Sequence, residues 1–388
     1  MSTNWELVAY DHGVPTVDMP APLNFKHRFV DDAKPMTGTD LVVADIDGDG
    51  LDDLACAAWW YKNPTWERYA IPGIYQVINA FDIDGDGRQE LIATKKRASE
   101  KSHWYFALSS ELWWLKPIDP IQGRWEEHFI DAGIGDWLHG SLVAPFWSDG
   151  KLALIVSHHS VNAGKLDYPA LFEIPSNPRE TPWQKRTLAE IMHGEELLAC
   201  DVNGDRLNDV VAGAYWLENL GDGNFCPHPI IADKEFLSAR SVIVDVNRDG
   251  APDVVMGQEL VYWKAKTVPL APLVWMQNPR GEWDTPWRMR VIDYLACAHS
   301  VDAADLDDDG EMEIVAGEHN PFAPYTGGCR LFVYKKANPH GTAWWRWLVD
   351  DRFEHHDGTK IIQLARGKLG IASHGWSESK YVHLWEPQ

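Results

Sequence analysis

Five short stretches of the chain gather oxygen-bearing side chains at a fixed spacing: DIDGDGLDD at 45–53, DIDGDGRQE at 82–90, DVNGDRLND at 201–209, DVNRDGAPD at 245–253 and DLDDDGEME at 305–313. They share the pattern D-x-[DN]-x-D-[G/R]-x-x-[DE]. Side chains at the first, third and fifth positions of a tight loop point their oxygens at one spot, and an acid at the ninth closes the shell. The candidate ligands are Asp45, Asp47, Asp49 and Asp53; Asp82, Asp84, Asp86 and Glu90; Asp201, Asn203, Asp205 and Asp209; Asp245, Asn247, Asp249 and Asp253; Asp305, Asp307, Asp309 and Glu313. Hard oxygen donors in that number suit Ca²⁺ better than a transition metal. Up to five structural Ca²⁺ ions are therefore expected. The third copy has Arg206 where a glycine would ease the turn, which predicts a weaker site.

Stepping outward, each loop is flanked by β-rich runs, such as LVVA before 45–53 and LACAAW after it. An EF-hand would need helices and a glutamate at position twelve. The unit is strand, acidic loop, strand, and its role is to staple the strand pair. A second signal follows each pair: an aromatic-rich strand, a turn, then an aromatic residue leading a polar/apolar alternation. This last element reads TWERYAI at 65, RWEEHFI at 124, PWQKRTL at 182, NFCPHPI at 224, PWRMRVI at 286 and AWWRWLV at 343. A seventh copy, NFKHRFV at 24, precedes the first loop and has no strands before it. The C-terminal stretch TKIIQLARGKLGIASHGWSESKYVHLWEP supplies three strands and stops. The pattern predicts an all-β, seven-bladed β-propeller with four-stranded blades over residues 1–388. Residues 24–30 would complete the last blade, 356–388, and close the ring, which removes free sheet edges. Two blades, around 141–159 and 361–374, have short turns in place of the acidic loop.

The repeat resembles the FG-GAP/VCBS type, and the resemblance covers nearly the whole chain. It implies a propeller fold; such propellers include adhesion modules as well as enzymes.

Topology then sorts the histidines. The acidic loops lie on one face; the starts of first strands and the ends of second strands lie on the other. His139, His193, His299, His355 and His356 sit at or just before a first strand, and His158, His159, His319 and His374 at the end of a second. The long connections 95–111, 158–170, 258–272 and 318–330 fall on the same face, and long connections are where function concentrates. Counting back six residues from each first loop Asp gives Thr39, Gln76, Glu195, Ala239 and His299 around a channel mouth, with His139 and His356 at corresponding places. Tyr75, His193 and Arg240 are their neighbours, and Trp376 is placed to stack on a sugar.

These residue types suit β-elimination from a carbohydrate. A base removes the proton beside a carboxylate, a cation steadies the enolate-like charge, and an acid protonates the departing oxygen. His139, His299, His356 and Tyr75 are the catalytic candidates. His158, His193, Glu195, Arg240, His319, Lys95, Tyr325 and Trp376 are the substrate-binding candidates. The His-rich mouth is similar to that of ulvan lyases and L-rhamnose-α-1,4-D-glucuronate lyases, which use His and Tyr as acid and base and a basic residue at the uronate carboxylate. The run from His299 to Gly310 also resembles the propeller of aldos-2-ulose (1,5-anhydrofructose) dehydratases. The resemblance carries over to His299 and, by position, to His139 and His356. A second reading places a catalytic divalent metal on His139, His299, His356 and Glu195 in a dehydratase of a small keto-sugar. A third is a non-catalytic propeller that binds glycan or protein. Glu195 and Glu318 as a glycosidase pair would leave the histidines unexplained.

A formal charge of −23 argues against nucleic acid as a partner. No apolar run is long enough for a membrane span, so no membrane is expected. Five cysteines with no CxxC spacing read as buried small apolar residues. The start MSTNWELVAY has no secretory pattern, so a cytoplasmic location is expected for this chain, or a secreted one if a signal was removed. The expected partner is a carbohydrate substrate; nothing in the pattern sets an oligomeric state.

Overall fold

The computed structural model describes residues 16–18, 23–35, 38, 40–95, 110–134, 138–158, 168–191, 194–232, 236, 238–322, 329–356, 358–365, 367–375 and 380–388. Among these residues the chain forms seven sheets, each built on four antiparallel strands. The chain is a seven-bladed β-propeller. The first blade is Leu41–Ala44, Asp53–Cys56, Trp59–Lys62 and Glu67–Ala70; the next five span 76–134, 138–187, 198–229, 238–296 and 298–350. The last blade is Lys360–Gln363, Leu369–His374 and Val382–Pro387, completed by Phe25–Asp31. Phe25 pairs with Pro387 and Asp31 with Val382, so the N-terminal strand supplies the outer strand as the sequence predicts. One strand was not expected: Thr16–Asp18 lies parallel on Trp344–Asp350 and makes a fifth strand on the sixth blade. No helix among the described residues is long and apolar enough to cross a membrane.

The core is a ring of interfaces. Seven apolar clusters each draw on two consecutive blades. Leu41, Leu54 and Tyr61 of the first blade pack on Ile362, Leu364 and Ala372 of the last, and so the ring closes on itself. Every third strand buries a large ring: Trp60, Trp114, Phe172, Trp216, Trp275, Tyr334 and Trp385. This accounts for the tryptophan-rich third strands. Their flat rings fill the wedge between neighbouring sheets, which fan apart with radius.

The ninth-position acids have a structural task as well. Asp53 is fully buried; it accepts from the amide of Ile46 at 3.1 Å and of Asn63 at 2.8 Å. Asp209 does the same with Val202 and Asn219, and Asp253 with Val246 and Asn278. Glu90 and Glu313 accept from Ile83 and Leu306. Each carboxylate thus ties its loop to its own sheet, and Asp53 and Glu313 also offer an oxygen to the acidic groups of their loops, with Asp45 and Asp47 and with Asp305 and Asp307.

A buried ion pair locks the outer part of the sixth blade to the fifth. Asp293, fully buried, accepts from Arg346 at 2.8 Å and from the Tyr334 hydroxyl at 3.0 Å. Burial raises the Asp293 carboxyl above its ordinary value, and Arg346 works against that shift. Arg346→Met leaves the Asp293 charge without its cation. It is expected to cost about 3–5 kcal/mol, read as a lower urea midpoint.

Candidate active site

The mouth opposite the acidic loops is shaped by irregularities in strand pairing. Ala298 pairs with Glu318 and Ser300 with Gly317, which leaves His299 as an extra residue in its strand. Leu138 pairs with His158 and Gly140 with Ser157, which leaves His139 extra. A similar shift between Ser238 and Ser241 contains Arg240. A bulge turns a side chain out of the regular in/out alternation and aims it elsewhere. Here it falls at the start of the first strand in three blades, on residues the sequence reading had placed at the mouth.

Glycine opposite the bulge is part of the device. A Cβ on Gly317 would lie 2.4 Å from the His355 Cβ and 2.8 Å from Ser300 Oγ. Gly317 therefore lets the next blade approach, and that approach carries His355 and His356 into place. Gly317→Ala is expected to lower Tm by several degrees, on the order of 1–3 kcal/mol, through this overpacking.

His299, His319 and His356 converge although they come from different segments. His299 and His356 stack with ring centroids 4.3 Å apart, His319 meets His356 edge-on at 4.3 Å, and His299 and His319 are 5.0 Å apart. Two carboxylates hold the group. Glu195 Oε2 lies 3.2 Å from His299 Nε2, and Glu354 Oε1 lies 2.5 Å from His319 Nδ1. All five residues are buried. The result is two imidazole–carboxylate dyads with a third imidazole between them. Glu259 joins from the fifth blade: its carboxylate, that of Glu195 and a His299 nitrogen lie within 4.8 Å of one another.

Arg240 ties together segments of several blades. It donates to the carbonyl of His139 at 2.8 Å and of Glu195 at 3.3 Å, and pairs with Asp40 at 3.1 Å and Glu196 at 3.4 Å. Gln76 donates to the other oxygen of Asp40 at 2.5 Å. A cavity of about 250 Å³ opens here, with His139, Arg240, Glu196, Lys360 and Asp40 on its wall.

No family model matches the chain. No curated protein matches it either. Among solved structures, the chain is similar to the exotype rhamnogalacturonan lyase YesX, with 12% identity, a TM-score of 0.46, and coverage of 97% of this chain and 76% of that one. It is also similar to the V. cholerae biofilm matrix protein Bap1, with 10% identity, a TM-score of 0.40, and coverage of 94% and 70%. These likenesses concern the course of the backbone alone.

The remaining candidates divide. His139 lines the cavity. Tyr75 is half-buried just before its strand, with its amide bonded to Thr94. Lys95 does not reach the cluster; its ammonium pairs with Glu127 and lies 4.1 Å from the Trp113 ring. Glu318 is ruled out as half of a glycosidase pair, because its oxygens are taken by the amides of Ala296 and Arg330 and by the Arg330 guanidinium. His193, Tyr325, Trp376 and the side chain of His158 lie outside the described residues, as do most of the connections 95–111 and 158–170.

Sequence reasoning missed Glu259, Glu354, Lys34 and the pair Tyr262–Trp263. Lys34 is buried, with its ammonium 3.3 Å from His374 Nδ1 and 3.7 Å from Cys56 Sγ. Tyr262 and Trp263 are about half exposed in the connection after the fifth blade's second strand, and Trp263 meets Phe322 edge-on at 5.5 Å. The long connection at 258–272 was the available signal for Glu259 and Trp263.

Proposed function

We propose that this propeller is a carbohydrate-active lyase that cleaves a uronate-containing glycan by β-elimination. One observation carries the reading: two imidazole–carboxylate dyads, on His299 and His319, whose rings are 5.0 Å apart in a buried site. Elimination removes the proton at C5 of the uronate and expels the oxygen at C4. The C5–H electron pair becomes the C4–C5 double bond as the C4–O bond breaks. One group must take the first proton and another must supply a proton to the leaving oxygen. The two atoms are on adjacent carbons, so acid and base must stand close together, as these dyads do. Glu195 and Glu354 orient the rings, and His356 packs between them. Arg240 and Lys360 line the cavity and are the candidates to meet the uronate carboxylate, in exchange for their present partners Asp40 and Glu196. Exposed Trp263 offers an aromatic face for a sugar ring at the rim.

The test is incubation with rhamnose-capped glucuronate glycans and ulvan, with and without EDTA, followed in the near ultraviolet where the unsaturated product absorbs. The acid and the base separate by leaving group. Whichever of His299→Ala and His319→Ala removes the acid is expected to keep most of its turnover on a uronate carrying an aryloxy group at C4, because aryloxide departs without protonation. A water-added product, or no turnover on any uronate, rejects the reading.

The placement of Glu259 favours a second reading, a metal-dependent sugar dehydratase. Glu195, Glu259 and His299 offer three ligand atoms close enough for one divalent ion, with Glu259 in place of the His139 and His356 suggested by the sequence. Such an ion would polarise a keto-sugar carbonyl. Elemental analysis checks this directly: a transition ion near one equivalent in the native chain, lost in Glu259→Ala, supports it.

A further inference from the structure

The spacing of the acidic loops suggests calcium ions. In three of them another cation already stands among the carboxylates. Lys116 Nζ lies 2.6 Å from Asp84, 2.5 Å from Asp86 and 3.4 Å from Glu90. Lys335 Nζ lies 2.5 Å from Asp307, 2.7 Å from Asp309 and 3.0 Å from Glu313. Lys62 Nζ pairs with Asp47 and, at 2.5 Å, with Asp49. All three lysines occupy one register position in the third strand. Each follows the residue that pairs with the one after the ninth-position acid: Tyr61 with Leu54, Leu115 with Leu91, Tyr334 with Ile314. The same position in the other two loop-bearing blades holds Glu218 and Gln277.

The loops co-vary with that position. Where it is lysine, the third loop residue is Asp47, Asp84 or Asp307; where it is not, the third residue is Asn203 or Asn247. The extra carboxylate and the lysine come and go together within the chain. In the two amide loops the asparagine does part of the bridging itself: Asn203 Nδ2 lies 3.3 Å from Asp205 and Asn247 Nδ2 lies 3.1 Å from Asp249.

We infer that the loops at 45–53, 82–90 and 305–313 are neutralised by Lys62, Lys116 and Lys335 of their own blades and do not hold calcium. Ca²⁺ needs roughly six to eight oxygens at about 2.3–2.6 Å, and here it would compete for the same carboxylates as the ammonium. Both cations at one centre repel strongly at such range. The lysine is tethered to the same sheet, so its effective concentration is high whatever the surrounding calcium. For these three loops the calcium expectation does not fit the residues present. Only 201–209 and 245–253 keep an oxygen set without a lysine.

The lysines have left a usable set of oxygens behind. Asp47 Oδ1 and Asp84 Oδ1 are buried without a hydrogen-bond partner. Lys62→Met, Lys116→Met and Lys335→Met should therefore each open a site, and the gain can be counted. The experiment is equilibrium dialysis of the full chain against ⁴⁵CaCl₂, native and with each single variant, alongside thermal melts in EDTA and in millimolar CaCl₂. The native chain is expected to bind at most two calcium ions. Each folded single variant is expected to bind one more than the native chain and to gain a calcium-dependent rise in Tm. Three or more ions on the native chain, or unchanged stoichiometry in folded Lys62→Met and Lys116→Met, overturns the inference. Should any single variant fail to fold in EDTA, recovery of its fold on adding CaCl₂ supports the inference, and failure to recover opposes it.

Discussion

His299→Ala is expected to slow turnover of a uronate glycan by about 10²–10⁴-fold, the usual contribution of a positioned general acid or base. The expectation comes from position as well as residue type. His299 is the bulged residue of its strand, 2% exposed, with one nitrogen on Glu195 and its ring stacked on His356. Glu195→Gln keeps the shape but removes the charge that orients the ring, so a smaller loss of about 10–100-fold is expected. Both should appear mainly in kcat, because the dyad handles protons that move only in the transition state. Product absorbance in the near ultraviolet measures the rate, and a thermal melt of each variant checks that the fold survives. Turnover of His299→Ala within threefold of the native chain would remove His299 from the mechanism.

The second large effect is on stability. The His355 imidazole is fully buried, with Nδ1 2.9 Å from Ser373 Oγ, and burial lowers its pKa from 6.5 to about 4. His383, also fully buried, is shifted well below its ordinary value for the same reason. Each is neutral in the fold at pH 7, while in the unfolded chain it takes up a proton near pH 6.5. Their contribution is therefore fully present above the unfolded value and is lost as pH falls toward the folded one. For His355 the loss between pH 6.5 and about 4 is on the order of 3 kcal/mol, and His383 adds to it in the same direction. The urea midpoint should fall steeply across that window, with net proton uptake on unfolding. His355→Asn is expected to flatten the lower part of the curve. An acid limb identical in native and variant proteins would assign the loss to other groups.

The blade count was legible because its cues are local. A strand with its turn and leading aromatic occupies a few residues, and each repeat carries its own copy, from TWERYAI to AWWRWLV. Closure by NFKHRFV followed from a fourth strand with no partners at one end and three strands without a fourth at the other. His299 was legible for a similar reason: it lies at a fixed distance before an acidic loop, so its end of the channel is determined by the hairpin it belongs to.

What the chain order hides is set between blades. His319 and Glu354 meet across the gap from the sixth blade to the seventh, and Glu259 reaches Glu195 and His299 from the blade between theirs. No spacing along the chain encodes those meetings; they depend on bulges and on glycine letting neighbouring sheets close up. Lysines in the acidic loops were hidden in the same way. Lys62 follows Asp53 after a tight turn, but Lys116 and Lys335 follow Glu90 and Glu313 only after long connections, so their shared register has no constant offset. By itself the sequence determined the repeating unit, the number of blades and the face that carries the histidines, because each of these follows from short-range pattern. Tertiary structure alone decided which carboxylate holds which imidazole and which loop already contains its cation, because those pairings form only when sheets distant in the chain pack edge to edge around the ring.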